Sequence, residues 1–234
     1  LVTVILFKNG SEIEVSSHYT IWQLLGLVYL LDFGLSSTVA RDITAFSGTK
    51  PALGQDFVKY INDVKKIYNG VAKVGALLFM IGIFFYYKLA IRSNILYFIL
   101  FLSSYSTAVY LNLKYLYLNA IFKGLGNMDK VYYAVTVSRL IQVLCLLAFY
   151  FTGLGLIVVS FTYLIYVLSL RVMLRNQFDS VYLINDSSGD KAVKLNYTDI
   201  LKQGGISILG FFQDRIVILI ISLSVSASFT SKYG

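Results

Sequence analysis

Proline, cysteine, histidine and tryptophan each occur once in the 234 residues, and each scarcity removes a class of explanation. With Pro51 the only proline, long helices can run without a residue that deletes a backbone donor and clashes with the preceding turn. A lone cysteine, Cys145, excludes an internal disulfide, and with His18 equally alone a metal site lacks convergent ligands. Both are read as structural or incidental. The sequence also contains no Gly-rich phosphate loop ending in Lys-Ser/Thr, no His-Glu-x-x-His and no Gly-x-Ser-x-Gly. Nothing here binds ATP for primary transport, and no catalytic residue, metal or cofactor is assigned. Charge is scarce too, at 14% of residues, with 20 basic against 12 acidic. The basic residues are scattered between apolar segments instead of gathered in an arm or stripe, which argues against a nucleic-acid partner.

Apolar surface is what the sequence has in abundance. Of its residues 57% are hydrophobic and the mean hydropathy is +0.72, a balance with no room in a soluble domain, where charged residues alone make up about 25%. Aromatics reach 16%, mostly 19 Tyr and 17 Phe, which suit the headgroup level of a bilayer as well as helix contacts. A hydrocarbon core about 30 Å thick takes roughly 20 residues of helix. Runs of that order recur over 19–40, 71–91, 94–120, 131–152, 154–170 and 206–228, after a remnant at 1–7 too short to cross. They are apolar on most faces, unlike the short alternating strands of a membrane barrel. The expected fold is an all-α, multi-pass helical bundle. No basic segment precedes the first apolar run, so there is no signal-peptide pattern, and both ends read as cuts through a longer protein.

Orientation follows from the segments between spans. Arg41, Lys50, Lys59, Lys65, Lys66, Lys123, Lys130, Arg171, Arg175, Lys191, Lys194 and Lys202 fall in one set, and only Lys8, Lys88, Arg92 and Lys232 in the other. Basic loops resist translocation, so the first set is expected in the cytoplasm. Within it, Phe57, Ile61, Val64 and Tyr68 form one helical face, which fits either an amphipathic helix on the membrane surface or a continuation of the next span. The polar stretch 176–203, with the turn signal Asn185-Asp186-Ser187-Ser188-Gly189, is read as a cytoplasmic connector. It joins a first bundle, 1–175, to the opening helix of a second, 204–234.

An ionisable residue at the centre of a span costs about 3 kcal/mol on insertion scales unless it snorkels, pairs or meets water. In the third span, Ser103, Thr107, Tyr110, Lys114 and Tyr117 recur at steps of three and four, and in the fourth Tyr132, Thr136, Arg139 and Gln142 do the same. Two polar stripes with one cation each suggest a shared basic lumen, in which Lys114, Arg139, Tyr110, Tyr117 and Gln142 would bind substrate. The competing reading is polar contact between helices, with Lys114 snorkelling to the interface. Asp32, Asp214 and Arg215 serve either ion coupling or helix packing. Asp214 and Arg215 are adjacent, point about 100° apart on a helix and cannot pair with each other.

The stretch Leu30-Leu31-Asp32-Phe33-Gly34-Leu35-Ser36-Ser37-Thr38-Val39-Ala40-Arg41 resembles the "LLDLGLSSALVR" segment that ends the second helix of bacterial polysaccharide flippases. These are O-antigen and capsule repeat-unit translocases of the multidrug/oligosaccharidyl-lipid/polysaccharide exporter superfamily. Asn119-Ala120-Ile121-Phe122-Lys123-Gly124-Leu125-Gly126 is similar to the glycine-rich loop after their fourth helix, and Phe212-Gln213-Asp214-Arg215-Ile216-Val217-Ile218 to their seventh. The resemblance implies a MATE-like first six-helix bundle plus the seventh helix, in the bacterial cytoplasmic membrane. It implies alternating access, coupled to H+ or Na+, that moves an undecaprenyl-pyrophosphate-linked oligosaccharide for polysaccharide biosynthesis, beside polymerase and chain-length proteins.

Three other readings compete. A drug or sodium exporter of the same superfamily should favour carboxylates in its lumen, where this chain offers Lys114 and Arg139. A membrane-embedded polysaccharide polymerase or glycosyltransferase should carry a large outward loop or an acidic motif, and the outward segments are short. A structural subunit leaves no signature in sequence.

Overall fold

The computed structural model describes residues 12–49, 55–90, 95–149 and 155–182, together with Gly205. The expected span 206–228, with Asp214 and Arg215, and the remnant 1–7 lie outside the described residues. Among the described residues there is no strand. The helices are α1 (Glu12–Tyr29), a 3-10 turn (Leu30–Asp32), α2 (Leu35–Thr49), α3 (Gln55–Ala90), α4 (Ile95–Lys114), α5 (Leu116–Gly124), α6 (Met128–Phe149) and α7 (Gly155–Tyr182).

Among the described residues, four stretches are long and apolar enough to cross a membrane: Phe57–Tyr86, Ile95–Gly124, Met128–Phe149 and Gly155–Phe178. A fifth is the pair Ser17–Asp32 and Leu35–Ser47, bent by 43°. Only 28% to 50% of each of the four apolar windows is buried inside the bundle. Side chains such as Leu77, Phe85, Ile95, Leu144 and Val172 point outward, and such a surface needs lipid or further protein to cover it. The chain is an all-α polytopic membrane protein.

Helix α3 packs on α4, α4 on α7 and α7 on α6, while α1 lies against α3 and α2 against α5. The interior is rich in aromatics: Tyr105 sits between Phe101, Phe79 and Tyr163, with centroid separations of 5.1, 6.1 and 5.5 Å. Gly75 allows α3 to approach its neighbours, since a Cβ there would lie 2.3 Å from Leu113 Cδ1 and 3.0 Å from Val28 Cγ1.

Two expectations are revised, and one pair of alternatives is decided. The span at 19–40 is not one straight helix, because Phe33 and Gly34 both adopt left-handed backbone, with φ of 43° and 72°, which ends one helix and restarts another. The face formed by Phe57, Ile61, Val64 and Tyr68 does not lie on the membrane surface. It belongs to the continuous α3 and is fully buried against the bundle. Arg171 is not a loop charge, since α7 continues to Tyr182 and the residue is 5% exposed.

Candidate functional site

Both breaks in the helices are held by polar side chains. After Leu30–Asp32 the chain turns at Phe33 and Gly34, and the first donors of α2 need acceptors. Asp32 supplies one: its carboxylate accepts from the Ser36 backbone N–H at 3.2 Å and from the Ser36 hydroxyl at 2.9 Å. Tyr68 of α3 donates to the same carboxylate at 2.8 Å, so the bend is tied to a neighbouring span. About two turns further on, Tyr60 of α3 donates to Asp42 of α2 at 2.9 Å.

The second break falls at Tyr115, between α4 and α5, with neither Gly nor Pro to cause it. Here the partner is Arg171 of α7, whose guanidinium donates to the carbonyls of Tyr115 at 3.1 Å and Asn112 at 3.0 Å, and to the Asn112 side-chain oxygen. Carbonyls freed at a helix break have no water to turn to inside a membrane, and a planar guanidinium can serve several at once. The Asn112 amide in turn donates to Tyr29 of α1, whose hydroxyl lies 3.1 Å from that of Tyr163. The Arg171 Nε is buried with no hydrogen-bond partner among the described residues.

Beside this break lies a cavity of about 270 Å³, lined by Lys65 of α3, Lys114, Tyr115, Tyr117 and Leu118 of α4–α5, and Arg175 and Phe178 of α7. The Lys114 ammonium stands 5.5 Å from the ring centroids of both Tyr110 and Tyr115, and that of Lys65 stands 5.9 Å from the Tyr117 ring. Such contacts are worth about 0.5–1 kcal/mol where exposed and leave the positive charge in place. Among the described residues no carboxylate lines the cavity, and neither Lys65 nor Lys114 has a carboxylate partner. A larger hollow of about 390 Å³, beside the first break, is lined by apolar side chains such as Leu24, Leu31 and Phe79.

Of the residues singled out in sequence, Lys114 and Tyr117 meet in the basic cavity, with the Tyr110 ring beneath Lys114 and its hydroxyl donating to Asn69 at 2.9 Å. Arg139 and Gln142 lie elsewhere. Arg139 is on the outward surface of α6, where it donates to the Gln142 side-chain oxygen at 2.8 Å and stacks 4.0 Å from the Tyr166 ring centroid. Ser103 and Thr107, and Tyr132 and Thr136 on the second stripe, also face outward. Asp32 is at the first break, far along the chain from both stripes but linked through Tyr68, whose ring lies 6.2 Å from Tyr117. Sequence reasoning passed over Lys65, Arg171 and Arg175. Their one available signal is the four-residue step from Arg171 to Arg175, which puts both on one face if the fifth span continues beyond 170. Among the described residues no group of His, Cys, Asp or Glu could hold a metal.

The two best-defined stretches of the resemblance are in direct contact. The Thr44 hydroxyl, just beyond Arg41, lies 2.9 Å from the carbonyl oxygens of both Ala40 and Gly124. Gly124 and Gly126 then close α5: the Asn127 N–H donates to Phe122 O at 2.9 Å and the Gly126 N–H to Lys123 O at 3.2 Å, with Gly126 left-handed at φ 73°. Comparison with protein-family models, with curated proteins and with solved structures yields no match to this chain.

Proposed function

We propose that the chain belongs to a translocase of the bacterial cytoplasmic membrane. Its cargo would be an undecaprenyl-pyrophosphate-linked oligosaccharide for polysaccharide biosynthesis, carried by alternating access with ion coupling. The observation that carries this reading is Arg139. Helix α6 has 22 residues and is about 33 Å long at 1.5 Å per residue, so Arg139, at its midpoint, sits near the middle of the hydrocarbon core. It faces out of the described bundle, next to Thr136, with no carboxylate partner among the described residues. A cation so placed cannot be left facing lipid, which points to a wet passage or a second bundle on that side. An anionic cargo suits that charge, whereas an exporter of cationic drugs or sodium calls for a carboxylate there. Asp32, held at a bend by groups on two helices, is the candidate for ion coupling.

Complementation tests this reading. Deleting the gene should leave lipid-linked repeat units trapped on the cytoplasmic side and abolish surface polysaccharide. Restoring it with Arg139→Ala should give little export per unit of inserted protein, and Arg139→Lys part of it, because Lys keeps the charge but loses the bidentate fork. Normal surface polysaccharide in the deletion strain, with no related transporter compensating, would refute the function. Arg139→Gln exporting as well as Arg139→Lys at equal protein level would refute the role of charge.

A further inference from the structure

We propose that the outward face of α6 is covered by the apolar span 206–228 of the same chain, with the Asp214 carboxylate as counter-ion to Arg139. Tyr132, Thr136, Arg139, Leu140, Leu144 and Leu147 are all exposed and lie on one side of the helix. That face runs for about 22 Å at 1.5 Å per residue, most of the thickness of a hydrocarbon core. Lipid can cover its apolar part, but not the guanidinium at its centre. The Gln142 side-chain oxygen and the Tyr166 ring hold the Arg139 side chain without neutralising it. The face therefore calls for a helix that brings a negative charge to mid-membrane depth. A second copy meeting this one through α6 would set Arg139 against Arg139, which repels. Asp32, the described carboxylate set within a span, is already engaged by Ser36 and Tyr68.

The span 206–228, outside the described residues, meets that need in charge, length, direction and depth. Asp214 is the only acidic residue in its apolar run. Its 23 residues would extend about 34 Å as a helix, against about 33 Å for α6. The distribution of Lys and Arg puts the start of both on the cytoplasmic side, so the two would run parallel. Counted from that side, Arg139 is 11 residues into α6 and Asp214 eight residues into its span. The corresponding depths are about 16 and 12 Å, a difference that the long arginine side chain bridges. Ser207, Gly210 and Phe211 share the Asp214 side at helical spacing, and the two small residues let the backbones approach. Arg215 would point about 100° away and meet a different neighbour. The pairing does not rest on the translocation reading; within that reading, an anionic cargo would compete with Asp214 for Arg139.

The test is disulfide trapping of the 234-residue chain in native membranes, with Cys145→Ser to remove the native thiol and a protease site inserted at Ser188. Thr136→Cys and Phe211→Cys, each about one turn before its charged residue, should join on oxidation with copper phenanthroline. The two halves then stay together on a non-reducing gel after cleavage. Phe212→Cys, on the opposite side of the span, should not join to Thr136→Cys. The proposal is overturned if Thr136→Cys and Phe211→Cys give no such product, if Phe211→Cys joins instead to Leu77→Cys on the outward side of α3, or if Thr136→Cys joins two chains. Thermal unfolding of the purified protein tests the charge. Arg139→Leu and Asp214→Leu should each lower the midpoint by about 6 °C or more, because either one strands a charge, and the double variant should return close to wild type. Single variants that melt as wild type does, or losses that add in the double variant, would overturn the pairing even where the cysteines join. Both readouts are taken on the protein itself, so their failure is separate from any failure of export in cells.

Discussion

A methyl group on Gly124 has no space to occupy. A Cβ built there lies 2.4 Å from the backbone oxygen of Ala40 and 2.8 and 2.9 Å from Ile43 Cβ and Cγ2. The first contact is with main chain, which cannot swing aside, so α5 and α2 must separate by about 1 Å to restore van der Waals distance. That movement also stretches the 2.9 Å bond from Thr44 to the Gly124 carbonyl out of range. Overpacking of this kind costs about 1–3 kcal/mol and a hydrogen bond between membrane helices about 0.6 kcal/mol. Replacing Gly by Ala in a helix returns roughly 0.5–1 kcal/mol. Gly124→Ala should therefore destabilise by about 1–3 kcal/mol, a fall of roughly 2–12 °C in midpoint at about 2–4 °C per kcal/mol. The assay is thermal unfolding of the purified protein, followed by far-ultraviolet circular dichroism and by size exclusion after heating. Gly70→Ala is the internal control: it sits within α3 with nothing within 4 Å of the new methyl, so helix propensity alone should raise the midpoint by about 1–3 °C. If Gly124→Ala melts at or above wild type, the contact between α2 and α5 is looser than described and the reasoning fails.

Two further predictions concern the second break and the orientation. Arg171→Leu keeps α7 apolar but removes the guanidinium donor from Tyr115 O, Asn112 O and Asn112 Oδ1, leaving Tyr115 O with its 3.0 Å bond from the Leu118 N–H. At about 0.6 kcal/mol for each interhelical bond it should destabilise by about 2 kcal/mol, and a midpoint equal to wild type would show that the break at Tyr115 does not need Arg171. Cysteines introduced by Ser47→Cys at the exposed end of α2 and by Ser188→Cys in the 176–203 segment should resist an impermeant thiol reagent in intact cells. Strong labelling at either position would overturn the orientation.

Much of the class was legible in the sequence and much of the detail was not. Hydropathy measures how apolar a stretch is, and it placed spans within 71–91, 94–120, 131–152 and 154–170 because lipid imposes a minimum length on any helix that crosses it. It is blind to backbone conformation. Gly34 hinted at the first break, but Phe33 in the left-handed region carries no sequence signal, since a bulky residue is seldom found there. The break at Tyr115 has no local signal, because the side chain that donates to its carbonyls, Arg171, lies 56 residues away on another helix. Hydropathy also stopped the fifth span at 170, just where basic residues begin, and so assigned Arg171 and Arg175 to a loop. The helix continues because its buried face continues: Val167, Leu170, Arg171 and Leu174 are all inside. Lys114 and Tyr117 were found because the helical period was followed through a charge, and the same treatment of α7 would have found the other two.

The polar chemistry of this bundle and its helix breaks have a common origin. A broken helix in a membrane must find partners for the groups it frees, and those partners have to come from other helices because water is absent. Asp32 and Tyr68 meet that need at the first break, and Arg171 and Asn112 at the second. Tyr68 then packs beside Tyr117, and Tyr117 lies under Lys65 and lines the basic cavity, so the two repairs adjoin through one wall of that cavity.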